Sequence, residues 1–169
     1  MTKVFIDGSA GTTGLRIWER LSDRNDLSLI ILSEENRKNP DARREAINSA
    51  DIAFLCLPDA AAIEAVELAR DANTRIIDTS TAHRTNPAWT YGFPELRGQR
   101  ERIAASDRIA NPGCHASGFV SLVAPLVQAG LIAADARLSC FSLTGYTGGG
   151  KKMIAEYEDT ARDTLLDAP

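Results

Sequence analysis

Five short apolar runs separated by helix-length segments leave few architectures open to this chain. KVFID (Lys3–Asp7) is β-branched and aromatic and ends at glycine. LSLIIL (Leu27–Leu32), DIAFLCLP (Asp51–Pro58), TRIIDTS (Thr74–Ser80) and RIAN (Arg108–Asn111) follow it. The third run is nearly continuous in apolar residues, as a parallel strand must be when helices cover both its faces. Between the runs, Leu15, Trp18 and Leu21 recur at helical spacing, and Asp41–Asn48 reads as a weak helix. The alanine-rich Asp59–Ala72 reads as a strong helix, with Asp59 placed to cap it. A short charged helix is expected near Arg97–Ala105, and a long apolar one from Cys114 to about Gly130. This alternation predicts an α/β fold, a parallel sheet with right-handed crossovers.

After Gly130 the pattern changes. ARLSCFSLTG (Ala136–Gly145) alternates, with Leu138, Cys140, Phe141 and Leu143 as its apolar members, and predicts the opening strand of a different sheet. YTGGGK and a helix-like tail follow. One strand and one helix cannot form a core of their own, so the expectation is one domain followed by the beginning of another.

The 169 residues suffice for that arrangement. A net charge of −4 without a Lys/Arg cluster argues against a nucleic-acid partner. No apolar stretch approaches the ~20 residues of a membrane span. MTKVFIDGS enters a strand directly, without signal-peptide architecture, so a cytoplasmic protein is expected. The three cysteines, Cys56, Cys114 and Cys140, stand at unrelated spacings and suggest neither a disulfide framework nor a zinc site. The two histidines show no metal-binding spacing, and no metal is expected.

Two stretches carry chemistry. In GSAGTTG, Gly8, Gly11 and Gly14 lie three apart between the first strand and the first helix. Glycines there allow a tight turn and let backbone N–H groups approach a pyrophosphate, with Thr12 and Thr13 adding hydroxyls. The spacing is GxxGxxG, not the usual GxGxxG, and a purely structural turn is the alternative. The second strand ends at Ser33, followed by Glu34, Glu35, Asn36, Arg37 and Lys38. Ser33 can bond a ribose 2′-phosphate, and Arg37 or Lys38 can pair with it; Glu34 and Glu35 favour the free hydroxyl instead. The second stretch is NPGCHASG, where Cys114 follows Pro-Gly at the first turn of an apolar helix. Helix starts offer unpaired N–H groups and partial positive charge, which favour a thiolate. The competing reading is a small thiol that packs the helix against the sheet.

VFIDGSAGTTGLRIWERL, CLPDAAAIEAV, IIDTSTAHR, YGFPEL and ANPGC occur here in the order found in N-acetyl-gamma-glutamyl-phosphate reductases. The DGxxGTTG opening resembles the short, type 2 form of that family, within the wider aspartate-semialdehyde and glyceraldehyde-phosphate dehydrogenase-like group. The resemblance runs along essentially the whole chain. It implies a Rossmann-type doubly wound sheet followed by the start of an α+β catalytic domain, with residues 1–113 binding NADP(H) and 114–169 opening the catalytic part. It also implies arginine biosynthesis, a small-molecule acyl phosphate substrate and a homo-oligomer.

Carried over residue by residue, Cys114 matches the nucleophile that displaces phosphate to form a thioester. Gly8, Gly11, Thr12, Thr13 and Gly14 match the dinucleotide loop, and the resemblance tips the Ser33 segment toward NADP. Pro58 and Ser80 fall where the family meets its cofactor. Arg84, Glu95 and, in GYTGGGKK, Lys151 fall toward substrate. Family members are longer, and their acid/base histidine lies in a part with no counterpart here. His115 follows Cys114 directly and points elsewhere on the helix, and His83 in TAHR reads as a structural hydrogen-bonding residue. The chain alone is therefore expected to be inactive. A dinucleotide-binding fragment without turnover and an aspartate-semialdehyde dehydrogenase-like enzyme are the alternatives.

Overall fold

The computed structural model describes residues 1–69 and 73–159. Its first compact unit, Met1–Ala136, holds the sheet. In chain order it contains β1 (Thr2–Asp7), α1 (Thr12–Ser22), β2 (Leu27–Ile30), α2 (Pro40–Ser49), β3 (Ile52–Leu55) and α3 (Asp59–Leu68). After these come β4 (Arg75–Asp78), β5 (Thr90–Tyr91), α4 (Gln99–Ala105), β6 (Arg108–Ala110) and α5 (Cys114–Gln128). The six strands form one sheet in the order β2-β1-β3-β4-β6-β5, and every pair is parallel. The chain steps from β1 to β2 in one direction and from β2 back past β1 to β3 in the other. Right-handed crossovers then place α1 on one face and α2 and α3 on the opposite one. The expected doubly wound sheet is present.

Size complementarity builds the core. Phe5 lies opposite Ala53, and Ala53 opposite Ile76, so large and small residues alternate across the strands. Leu55 joins them, and Ala46, Ile47 and Ala65 of α2 and α3 pack on this row. Small helix residues let the backbones approach closely, which is the packing value of the alanine-rich segment. Asn39 caps α2, its side chain accepting from the N–H groups of Asp41 and Ala42, with Pro40 opening the helix. Thr74 closes the other end, its Oγ1 lying 2.7 Å from the Ile47 carbonyl and 2.9 Å from that of Ala50.

Several expectations are corrected. β2 is a half-buried edge strand that ends at Ile30, and Ile31 is exposed. β3 stops at Leu55, leaving Cys56–Pro58 in the following loop. Asp59 does not cap α3: Pro58 holds that position, and the Asp59 carboxylate accepts from the backbone and hydroxyl of Thr81. α3 ends at Leu68, and the last expected residues, Arg70–Ala72, lie outside the described residues. Leu15 and Trp18 are on the exposed side of α1 because Gly14 seats the helix against the loop before it. β5 was not anticipated; two residues carry no periodicity to read.

The expected strand at Ala136–Gly145 does not form. A strand requires a neighbouring strand, and among the described residues no strand adjoins this segment, whose Leu138, Phe141 and Leu143 are exposed. From Arg137 onward it belongs to a second unit, Arg137–Pro169, whose described residues include a 3₁₀ turn at Tyr146–Gly149 and α6 (Gly150–Glu158). Tyr146 and Tyr157 meet edge to face there. No helix among the described residues is long and apolar enough to cross a membrane.

A buried ion pair fixes α2 to β1. Arg43 Nε donates to Asp7 Oδ2 at 3.0 Å, and Nη1 reaches Glu64 at 3.5 Å. Nη2 also stands 3.0 Å from Asp7 Oδ2 but lacks hydrogen-bond alignment. Burial pushes the Asp7 carboxyl above its ordinary value, and Arg43 opposes that push. Breaking one side of such a pair strands a charge. Arg43→Met is expected to lower the unfolding free energy by about 3–5 kcal/mol, with most of the loss recovered in the Asp7→Leu/Arg43→Met double variant. Urea unfolding of the two proteins checks this; equal losses in both would show that packing, not charge, ties α2 down.

Candidate functional site

Because every strand is parallel, the loops after β1, β3, β4 and β6 all open along one edge of the sheet. The strand order reverses between β1 and β3, the place where open α/β sheets hold ligands.

Gly8 follows β1 with φ +85°, and a Cβ there would stand 2.2 Å from the Cys56 carbonyl oxygen. Gly14, in the first turn of α1, packs as closely: its Cβ would fall 2.4 Å from the Gly8 oxygen. Gly11 differs. It takes the N-cap position in extended backbone, and its Cβ would meet only the Gly8 oxygen at 3.3 Å. The fold itself thus demands Gly8 and Gly14, whereas the packing at Gly11 is looser. No side chain caps α1, and Thr12 and Thr13 are exposed beside its first-turn N–H groups. A cradle that a Cβ would fill, at an uncapped helix start, fits a dinucleotide phosphate.

At the end of β2, Ser33 is exposed and its carbonyl accepts from the N–H groups of Asn36 and Arg37. Arg37 pairs with Glu34 at 2.8 Å. Two residues of opposite charge in the segment after β2 therefore hold each other. Pro58 is exposed after β3.

The loop after β4 is tied down at nearly every residue. Asp78, wholly buried, accepts from the backbone N–H and Oγ of Ser80 and faces Nδ1 of His83 at 2.7 Å. The His83 ring stacks on Trp89 with centroids 4.1 Å apart. Thr79 Oγ1 donates to the Leu55 carbonyl. Arg84 Nε donates to the Asn111 carbonyl at 3.1 Å and Nη2 to that of Thr79 at 2.9 Å. Asp78, Thr81 and Trp89 were not picked out from sequence. The Asp-Thr-Ser run after an apolar strand is the usual signature of such a turn and could have marked Asp78.

Cys114 is exposed at the first position of α5, with Gly113 as its N-cap. Asn111 N donates to the Asp78 carbonyl, so the turn carrying the thiol hangs from the end of β4. Cys56 contrasts with it: burial pushes its thiol up to about 11. Cys140 was expected in an apolar strand but is exposed. β1 and β6 stand three strand spacings apart, roughly 14 Å, so a ligand that touches both the glycine loop and Cys114 must lie extended along the edge.

Glu95 lies elsewhere. It lines a groove of about 240 Å³ with Phe93, Leu96, Val120, Ala124 and Gln128. That groove begins six residues along α5 from Cys114, roughly 9 Å away. Lys151 falls in α6 of the second unit, and its side chain lies outside the described residues. No cluster of three or more potential metal ligands occurs among the described residues.

Residues 3–106 match the family described as "Semialdehyde dehydrogenase, NAD binding domain". An N-acetyl-gamma-glutamyl-phosphate reductase of Brucella anthropi is 55% identical over 168 residues, 98% of this chain and 54% of the relative. The protein of the same name from Brucella ovis is 56% identical over the same shares. The chain thus spans about half the length of the curated relatives it matches. Among solved structures, aspartate semialdehyde dehydrogenase from Francisella tularensis aligns over 98% of this chain and 53% of its own, at 15% identity and a TM-score of 0.66. The Vibrio cholerae aspartate semialdehyde dehydrogenase II aligns over 76% of this chain and 47% of its own, at 20% identity and a TM-score of 0.58. At those identities the likeness is one of fold.

Proposed function

The chain belongs to the semialdehyde dehydrogenase NAD-binding domain family, and from that premise we propose that it serves the reduction of N-acetyl-glutamyl 5-phosphate to N-acetylglutamate 5-semialdehyde with release of phosphate, in arginine biosynthesis. One observation carries the reading. Cys114 begins α5 at the same sheet edge on which the Gly8–Gly14 cradle opens. The name shared by relatives at 55% and 56% identity supplies the substrate.

In this reading Cys114 attacks the acyl carbon, expels phosphate and becomes a thioester, while first-turn N–H groups of α5 steady the oxyanion. Gly8, Gly11, Thr12, Thr13 and Gly14 hold a pyrophosphate, Pro58 and Ser80 border the same crevice, and Ser33 with Arg37 takes a 2′-phosphate, making the cofactor NADP(H). Such a dinucleotide supplies hydride chemistry when bound. Residues 1–113 form the nucleotide-binding part and 114–169 the opening of the catalytic part. The motifs of Arg84 and Glu95, and separately that of Lys151 in the second unit, assign these residues to substrate by their resemblance to the family. The protein works in the cytoplasm as a homo-oligomer.

Limiting iodoacetamide at mildly alkaline pH, followed by peptide mapping, is expected to label Cys114 ahead of exposed Cys140 and to reach Cys56 last, because burial keeps that thiol protonated. Labelling of Cys140 first would remove the nucleophile assignment. In titration calorimetry NADPH is expected to bind more tightly than NADH; equal affinities would remove the NADP preference.

A further inference from the structure

Between Thr79 and Arg84 the chain is braced from three sides, and the last of these residues reaches the thiol turn. Asp59 holds Thr81, Asp78 holds Ser80 and His83, and Arg84 spans two carbonyls that belong to different strand ends. Thr79 O closes β4, and Asn111 O follows β6. The third guanidinium nitrogen, Nη1, lies so close to Gly113 that a Cβ at that glycine would stand 2.8 Å from it. Gly113 caps the helix that Cys114 begins. One side chain therefore bonds the start of the turn before the cysteine and lies close against its end.

We propose that Arg84 is a positioning residue: its guanidinium holds Asn111–Gly113, and with them the start of α5 on which Cys114 sits. The proposal rests on Cys114 being the reactive thiol. Arg suits the task because its planar fork reaches two acceptors at fixed spacing, which the single ammonium of lysine does not. Gly113 suits it because any side chain there would displace the fork. His83 contributes indirectly. Its bond to Asp78 and its stack on Trp89 fix the backbone from which Arg84 extends.

The test is site-resolved alkylation of the full chain, with Cys114, Cys140 and Cys56 each followed by peptide mapping. Arg84→Met is expected to slow Cys114 by about tenfold, within the range that contacting residues show in double-mutant cycles. Exposed Cys140 and buried Cys56 keep their rates. Arg84→Lys keeps the charge but not the span, and is expected to stay as slow as Arg84→Met. An unchanged Cys114 rate in Arg84→Met, or full restoration by lysine, overturns the clamp. So does faster labelling of Cys56, which would mark a general loosening of the fold. If Arg84→Met does not fold, Gly113→Ala probes the same contact from the other side: it is expected to slow Cys114, and independence from Arg84 in the double variant Gly113→Ala/Arg84→Lys overturns the proposal. Should Cys114 in the unaltered chain react no faster than Cys140, the nucleophile reading itself fails and the clamp falls with it. A reactive Cys114 that is indifferent to Arg84 removes the clamp alone.

Discussion

A polypeptide of these 169 residues is expected to oxidise N-acetylglutamate semialdehyde, with NADP and phosphate supplied, at least ~10²–10⁴-fold more slowly than a full-length relative. The reaction needs a thiol, an oxyanion site, a held acyl group and a group that moves protons. The first unit offers Cys114 and uncapped helix N–H groups. Its proton carriers are poorly placed. His83 is buried, with one ring nitrogen 2.7 Å from Asp78 and its face against Trp89. His115 follows Cys114 by one helical position, roughly 100° around the axis. Loss of substrate positioning adds to the deficit, because a misplaced acyl group forfeits proximity as well. The measurement is turnover of the purified chain at verified mass beside that control. A rate close to the control would make His83 or His115 the base.

The second large effect concerns the cradle. Gly8→Ala is expected to lower stability by more than about 3 kcal/mol, because a left-handed backbone alone costs about 1–2 kcal/mol for a residue with a Cβ. The remainder comes from a methyl placed 2.2 Å from the Cys56 carbonyl, which would push the ends of β1 and β3 apart. Gly14→Ala should behave similarly, through its 2.4 Å approach to the Gly8 oxygen. Gly11→Val is the contrast, with its change in stability held to about 1 kcal/mol while NADPH binding is lost. Urea unfolding and titration calorimetry on the three variants separate the two kinds of glycine. A Gly8→Ala protein as stable as the parent would mean that the loop takes another path. Normal NADPH binding by Gly11→Val would mean that the phosphates lie elsewhere.

How far the sequence could be read depended on the range of each interaction. Most helices and strands lie where the apolar periodicity placed them, and the tight glycine turn before α1 lies where its neighbouring residues placed it. The Asp7–Arg43 pair was missed because thirty-six positions separate its members; an acid ending an apolar strand gives no hint of its partner. Asp59 was misassigned for the same reason. Its position suits a cap, but a hydroxyl twenty-two residues later binds it instead. Ala136–Gly145 shows the converse. Its alternation is that of a strand, yet strand formation depends on a neighbour, and alternation alone supplies none. The place of Cys114 at a helix start was legible through Pro-Gly. The bracing of its turn by Arg84 became visible only once β4 and β6 lay side by side.

The strand order also governs when that bracing can exist. β2 and β3 add to the two sides of β1 as the chain emerges, and β4 then adds to β3, so this part of the sheet grows with the growing chain. The outer part cannot. β5 precedes β6 in sequence but pairs only with it, and Arg84 must wait for Asn111. During synthesis, residues 79–107 leave the ribosome before the strand that organises them. Parallel pairings of this kind close long loops and are slow to form. The thiol turn is therefore among the last parts of the sheet edge to be set, and until then the open side of β4 is a bare edge available to other chains.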